Sequence, residues 1–259
     1  MADLQDKIVL VTGGSGGLGR ALAGAFAGAG SRVVIASRSQ DRLQATAQQL
    51  AGPERALLAI RCDVTDRQQV EALDKSIREK LGPVQILINN AGLARAMSFL
   101  EMPDSLWHET LQINLTGVYH CCKVFLPGML ESGWGRIINI ASTTAKVGYS
   151  HVAAYTASKH GVLGLTRSLA LEMARRNVTV NAICPGYLNN QSTRDNARRM
   201  AEKTGKSQED ILALFAASAP QNRLFEPDEV ASLALFLARE TSAGITGQAI
   251  NVDGGAVMV

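Results

Sequence analysis

The sequence predicts an α/β fold in which one doubly wound parallel sheet of seven strands carries helices on both faces. Three observations predict it. Short apolar runs alternate with helix-forming stretches from end to end, the pattern of a parallel sheet covered on both sides. The first apolar run ends in a glycine-dense turn, Gly13-Gly14-Ser15-Gly16-Gly17-Leu18-Gly19, before an Ala/Leu/Phe helix. No linker, internal repeat or low-complexity tract interrupts residues 1–259, which therefore read as a single domain.

Residues 7–12 (KIVLVT) are the first strand, and the helix after the glycines runs to about residue 29. A strand over 32–36 and a helix over 41–50 follow, then a strand over 56–61 closed by Cys62-Asp63-Val64. After a helix over about 67–81, the strand at 85–89 (QILIN) ends at Asn90-Ala91-Gly92. One long helical region is expected over about 104–130. The strand 136–141 leads to Ser142, and a helix carries Tyr155. A sixth strand, 178–183, is expected to break at Pro185-Gly186, because proline donates nothing to a ladder. A polar stretch then runs to about residue 220, before a helix near 228–238 and a last strand near 248–252.

Composition narrows the function. Hydrophobic residues make up 46% and charged residues 19%, enough for a sizeable core and inconsistent with disorder. A net charge of +3 is too small to argue for nucleic-acid or membrane partners, and neither is expected. Cys62, Cys121, Cys122 and Cys184 show no metal spacing, and the histidines do not cluster, so neither a metal site nor a disulfide framework is expected. The first residues lack a basic, then apolar, leader, and no apolar run of roughly 18 residues occurs; a cytoplasmic protein is the simple expectation.

Chemistry concentrates in 142–159, STTAKVGYSHVAAYTASK. On a helix, Tyr155 and Lys159 share one face about one turn apart. The cation is expected to favour phenolate and lower the tyrosine pKa. Tyr155 could then exchange a proton with a carbonyl or alcohol oxygen near neutral pH. Ser142, at the carboxyl end of a buried strand, faces the crevice where open α/β sheets hold ligands and can bond the same oxygen. Taken alone, such a pair also occurs on ordinary amphipathic helices. The glycine turn spells G-x-G-x-x-G from Gly14 to Gly19, and Thr12-Gly13 with Gly17 and Gly19 is a second register. In either, glycines let the backbone approach a pyrophosphate whose charge meets amides at the helix start.

These residues, with Asn114, Asn181, Pro185-Gly186 and Asn251-Val252-Asp253-Gly254-Gly255 in that order, resemble the short-chain dehydrogenase/reductase family over nearly the whole chain. The resemblance implies a Rossmann-type fold, a nicotinamide dinucleotide, carbonyl/alcohol chemistry and, often, a homotetramer built through the helices before Ser142 and around Tyr155. It implies Tyr155 as acid/base, Ser142 as donor to the substrate oxygen, Lys159 on the nicotinamide ribose, and Asn114 holding a proton-relaying water. Gly13, Ser15, Gly17, Leu18 and Gly19 would cradle the pyrophosphate. Asp63 and Val64 would touch adenine, Asn90, Ala91 and Gly92 would line the channel, and Pro185-Gly186 would flank the nicotinamide. Alone, Asp63 reads equally as a helix cap.

About 20 residues beyond the glycines, the second strand ends at Ser37-Arg38-Ser39 with no acid to accept from a ribose 2′-hydroxyl. Arg38, helped by Ser37, suits a 2′-phosphate, so NADP(H) is favoured and NAD(H) left open. The Gly16 position lacks the base that some NADP-using relatives carry. Residues 187–220 are expected to form a substrate lid, and Arg194, Arg198, Arg199, Lys203 and Lys206 there suit either a solvated face or a coenzyme A thioester. The reading is a 3-oxoacyl-type ketoreductase acting on a small carbonyl/alcohol pair. A polyol, sugar or cyclic-alcohol dehydrogenase is the alternative, and a non-catalytic nucleotide sensor stands as a different class.

Overall fold

A computed structural model describes residues 2–50 and 57–259. Seven parallel strands form one sheet in the order β3-β2-β1-β4-β5-β6-β7. They are β1 (Ile8–Thr12), β2 (Arg32–Ser37), β3 (Leu57–Arg61), β4 (Ile86–Asn89), β5 (Gly135–Ile140), β6 (Val178–Pro185) and β7 (Ala249–Val252). The expected start of β3 at Ala56 lies outside the described residues.

Alternation along the strands assigns the two faces. Leu10, Val34, Leu87, Ile137 and Val180 pack with α3 (Arg67–Lys80), α5 (Gly117–Glu131) and α6 (Ala153–Met173). Val9, Val11, Ile35, Ile88 and Ile140 pack on the other side with α1 (Gly17–Gly28), α2 (Gln40–Leu50) and α9 (Pro227–Ala238). Both faces are therefore dry, which is why the strands read as continuous apolar runs. The chain reverses its direction of travel across the sheet between β1 and β4, and the crevice at their carboxyl ends is the ligand position of such sheets.

Three expectations need correcting. The long helical region is α4 (Asp104–Leu111) and α5 joined by a π-helical turn, Gln112–Thr116, which holds Asn114. The sixth strand does not break before Pro185. Its even-numbered amides serve β7 (Ala182 N to Gln248 O, 2.8 Å; Gly186 N to Val252 O, 3.0 Å), so the missing proline N–H faces the side where β5 has already ended. The polar stretch is a helical hairpin, α7 (Gln191–Thr204) and α8 (Gln208–Ala217), turning at Gly205 with φ +72°. Asn190 caps α7, and Ser207 with Asp210 forms a capping box on α8. Among the described residues, no helix is long and apolar enough to cross a membrane and no cluster could hold a metal.

Candidate active site

The glycine turn is shaped by close backbone approach. Gly13 has φ +65°, and a Cβ there would sit 2.9 Å from Ala91 Cα. A side chain on Gly19 would collide with the Gly13 carbonyl oxygen. The α1 N-terminus that follows has no side-chain cap, so its first amides remain available to an anion. Leu18 turns its side chain into the core, leaving only its backbone for any ligand. Asn90 holds the point where β1 and β4 part. Its Nδ2 donates to the Thr12 and Gly13 carbonyls at 2.9 and 3.2 Å. Thr12 Oγ1 accepts from the Asn90 and Ala91 amides at 3.1 Å each.

Beside this turn lies a cavity of about 370 Å³. Gly13, Ser15, Ser37 and Arg38 form one wall, and Asp63, Val64, Ala91 and Gly92 the other. Gly17, Leu18, Gly19, Asn90, Pro185 and Gly186 lie outside the wall. The volume, the uncapped helix start and the positive rim fit the adenosine end of a dinucleotide. Asp63 does not cap α3; Asp66 does. The Asp63 carboxylate instead accepts from the Thr65 amide and hydroxyl at 3.0 and 2.8 Å.

Arg42 also lines the cavity, with Ser39, and went unnoticed in the sequence. Its guanidinium donates to the Ser15 carbonyl at 3.5 Å, while Ser15 and Ser37 hydroxyls bond at 2.9 Å. Arg42 thus brings from α2 a charge that the bare Gly16 position does not supply. A base in the first turn after strand two was the available signal.

The catalytic candidates meet at the other end of the crevice. The buried positions of α6 include Ala154, Ser158, Val162, Thr166 and Ala170 in steps of four, with Lys159 and Leu163 on the same side. Lys159 is therefore only 5% exposed, and its Nζ donates to the Ile140 carbonyl at 2.7 Å. That nitrogen lies 5.7 Å from the Tyr155 ring centroid. Ser142 caps a short 3₁₀ turn, accepting from Thr144 N at 3.2 Å. Gly92 joins the two ends: a Cβ there would lie 3.4 Å from Asn114 Oδ1 and 3.8 Å from Lys159 Nζ.

Asn114 is fully buried and heavily bonded. Its Oδ1 accepts from Leu93 N at 2.7 Å, and its Nδ2 donates to Leu93 O at 2.9 Å and Ser158 Oγ at 3.0 Å. Ser158 in turn donates to the Tyr155 carbonyl at 2.7 Å. Ser158 is another residue the sequence reading passed over. At the far side, a Cβ on Gly186 would meet Asp253 and the Phe225 ring at 3.2 Å each. The buried Asp253 carboxylate accepts from Gly255 N and Val257 N at 3.1 and 3.0 Å, so the terminal glycines shape this packing.

The electrostatics overturn one expectation. Burial pushes Tyr155 up to about 12, against a smaller opposing effect of its hydrogen bond with Ser142. Burial also brings Lys159 down to about 8. Desolvation governs the phenol, and Lys159, itself desolvated, does not lower it as the spacing led one to expect. The site can therefore present a neutral O–H donor beside a second hydroxyl at neutral pH.

Strand order, uncapped helix start and a buried tyrosine–lysine face together define a dinucleotide-binding oxidoreductase. Residues 7–201 match the family model described as short chain dehydrogenase. A Streptomyces coelicolor relative, provisionally named a ketoacyl reductase, is 38% identical, the match covering 98% of each chain. The 3-oxoacyl-acyl-carrier-protein reductase of Vibrio harveyi is 36% identical over 99% of this chain and 100% of its own. A crystal structure of an actinorhodin polyketide ketoreductase variant with NADPH superposes with TM-score 0.94 at 38% identity, over 99% of both chains. The chain belongs to the short-chain dehydrogenase family and is an oxidoreductase by class.

Proposed function

We propose that residues 1–259 act as one NADPH-dependent ketoreductase unit on a 3-oxoacyl-type ketone, with 187–220 as its lid. The observation that carries this reading is the phenol of Tyr155, buried at the crevice and bonded to Ser142. A neutral phenol is the state that gives a proton to a carbonyl oxygen. A bound dihydronicotinamide supplies the hydride to the carbonyl carbon. Tyr155 delivers the proton to the oxygen, and Ser142 donates to it as charge grows. Lys159, bordering Gly92, holds the ribose end. Both Nδ2 protons of Asn114 are used by protein acceptors, so only acceptor capacity remains there for a relaying water.

Arg38 and Arg42 on the cavity rim support a 2′-phosphate, as does the lack of an acid at the end of β2. The NADPH in the actinorhodin enzyme and the ketoacyl names of the relatives support the same cofactor and substrate. Exposed Tyr119 on α5 and Leu171 on α6 suit the homotetramer, and we place the enzyme in the cytoplasm. The test is NADPH consumption with a 3-oxoacyl thioester, an isolated ketone and a cyclic ketone, with NADP⁺ reduction by a polyol as a fourth arm. A clear preference for the thioester is expected. Turnover of the polyol alone would hand the reading to the alternative.

A further inference from the structure

The π-helical turn Gln112–Thr116 touches both ends of the crevice within five residues. Its bond from Gly117 N to Gln112 O spans one residue more than an α-helical bond. Ile113 lines the cavity together with Gly13 and Val64 and is only 8% exposed. Gln112 Nε2 donates at 3.2 Å to the carbonyl of Thr65, the residue after the Asp63-Val64 wall. Just past the turn, a Cβ on Gly117 would lie 2.7 Å from Val64 Cγ2, and His120 Nδ1 lies 3.0 Å from Val64 O. One wall of the adenosine cavity is therefore held by the turn and the first residues of α5.

The same turn carries the support of the catalytic helix. Asn114 bonds Leu93 and Ser158, and Ser158 bonds the Tyr155 carbonyl. Leu115 packs so closely on α6 that a Cβ at Gly161, two residues past Lys159, would lie 2.7 Å from its Cδ2. Three consecutive side chains thus meet the cavity, the support of the tyrosine and α6. An uninterrupted α-helix would spare the inserted residue, and single π turns inside α-helices are found frequently at functional sites. Ser142, Tyr155 and Lys159 take no part in the cavity wall, so a nucleotide end seated there acts on them through the chain between. Gly92 lies between the two as well, but it has no side chain to press on either.

We propose that this turn couples the adenosine cavity to the catalytic tyrosine. A nucleotide end packed on Val64 and Ile113 fixes the turn, and Asn114 then holds α6 in place for proton transfer. Gln112 is a positioning residue that acts through Thr65 and the turn, never on the reacting atoms. The proposal rests on the NADPH ketoreductase reading and adds how cofactor binding prepares the site. The experiment saturates the wild type and the double variant Gln112→Ala with Ile113→Ala with adenosine 2′-phosphate, which fits the cavity alone. Hydrogen exchange over 153–160 should slow at least about fivefold in the wild type, the low end of coupling between sites. In the double variant the slowing should be confined to the cavity residues themselves. With reduced nicotinamide mononucleotide as hydride donor and a 3-oxoacyl N-acetylcysteamine thioester, the same ligand should raise kcat about fivefold in the wild type. It should not do so in the double variant, and KM for the thioester should stay unchanged. Gln112→Ala alone, at an exposed position, should give an intermediate effect and serves if the double variant misfolds. Slowing confined to the cavity in the wild type, or equal slowing in every protein, would overturn the coupling. Failure of adenosine 2′-phosphate to bind would overturn the cofactor reading with it. A wild type inactive on the thioester with NADPH would sink the ketoreductase reading, and the exchange result would still decide the coupling.

Discussion

Around Tyr155 the polar side chains are buried and bonded to one another, whereas the arginines of α7 stand in solvent and bond within their own helix or to the residue just before its cap. Asn114 and Ser158 are fully buried, and together they link Leu93 to the Tyr155 carbonyl. On α7, Arg198 faces Asp195 at 3.7 Å, Arg199 donates to Asn196 at 2.5 Å, and Arg194 donates to Asn189 at 2.7 Å, all exposed. Leaving a buried polar group unpaired costs about 1–3 kcal/mol, while an exposed ion pair contributes about 0–1 kcal/mol. Substitution beneath the tyrosine should therefore cost more than substitution of the exposed α7 arginines.

That contrast can be broken most sharply at Tyr155. Tyr155→Phe should cost at least roughly 10²-fold in kcat, the scale of lost acid/base catalysis, with NADPH binding nearly unchanged. Near-wild-type turnover would remove Tyr155 from the mechanism. The ribose end, half-buried, should respond less. Ser37→Asp with Arg38→Leu should shift the NADPH/NADH ratio of kcat/KM at least about tenfold towards NADH, since one charged phosphate contact is worth about 1.5–3 kcal/mol. A wild type that already favours NADH would contradict the arginine rim.

Lys159 gives a pH test of the buried region. With its pKa brought down to about 8, the ammonium is present below that pH and lost above it. If the cation is required, kcat falls as pH rises through about 8, and Lys159→Arg carries the falling limb to higher pH. A flat profile across that range would show that the charge is not used. The smallest effect belongs to the lid. Changing Arg194, Arg198 and Arg199 together to Gln should raise KM for a coenzyme A thioester about two- to threefold at low salt, with less change for an uncharged analogue. Equal KM changes would leave α7 a solvated face.

Legibility followed the same division. Tyr155 and Lys159 could be paired from sequence because helical spacing is local and α6 keeps its period. The lid helices were hidden by polarity, although the Ser207-x-x-Asp210 box was a readable start signal. Arg42 could be seen as a helix residue but not as a cavity residue, since that requires β1 and β2 side by side. The same reason hid Ser158, which meets Asn114 across 44 positions of chain.

Sequence by itself determined the alternation of strands and helices, the parallel sheet, the glycine turn and the shared helix face of Tyr155 and Lys159, because each rests on local periodicity or short spacing. Only the tertiary structure decided that Asp66 caps α3 in place of Asp63, and that Asn90 braces two strands. It also decided the sign at Tyr155. A pKa sums burial with every neighbouring charge. The Tyr155/Lys159 spacing showed the lysine, but not the enclosure that takes both groups out of water and drives the phenol up and the ammonium down.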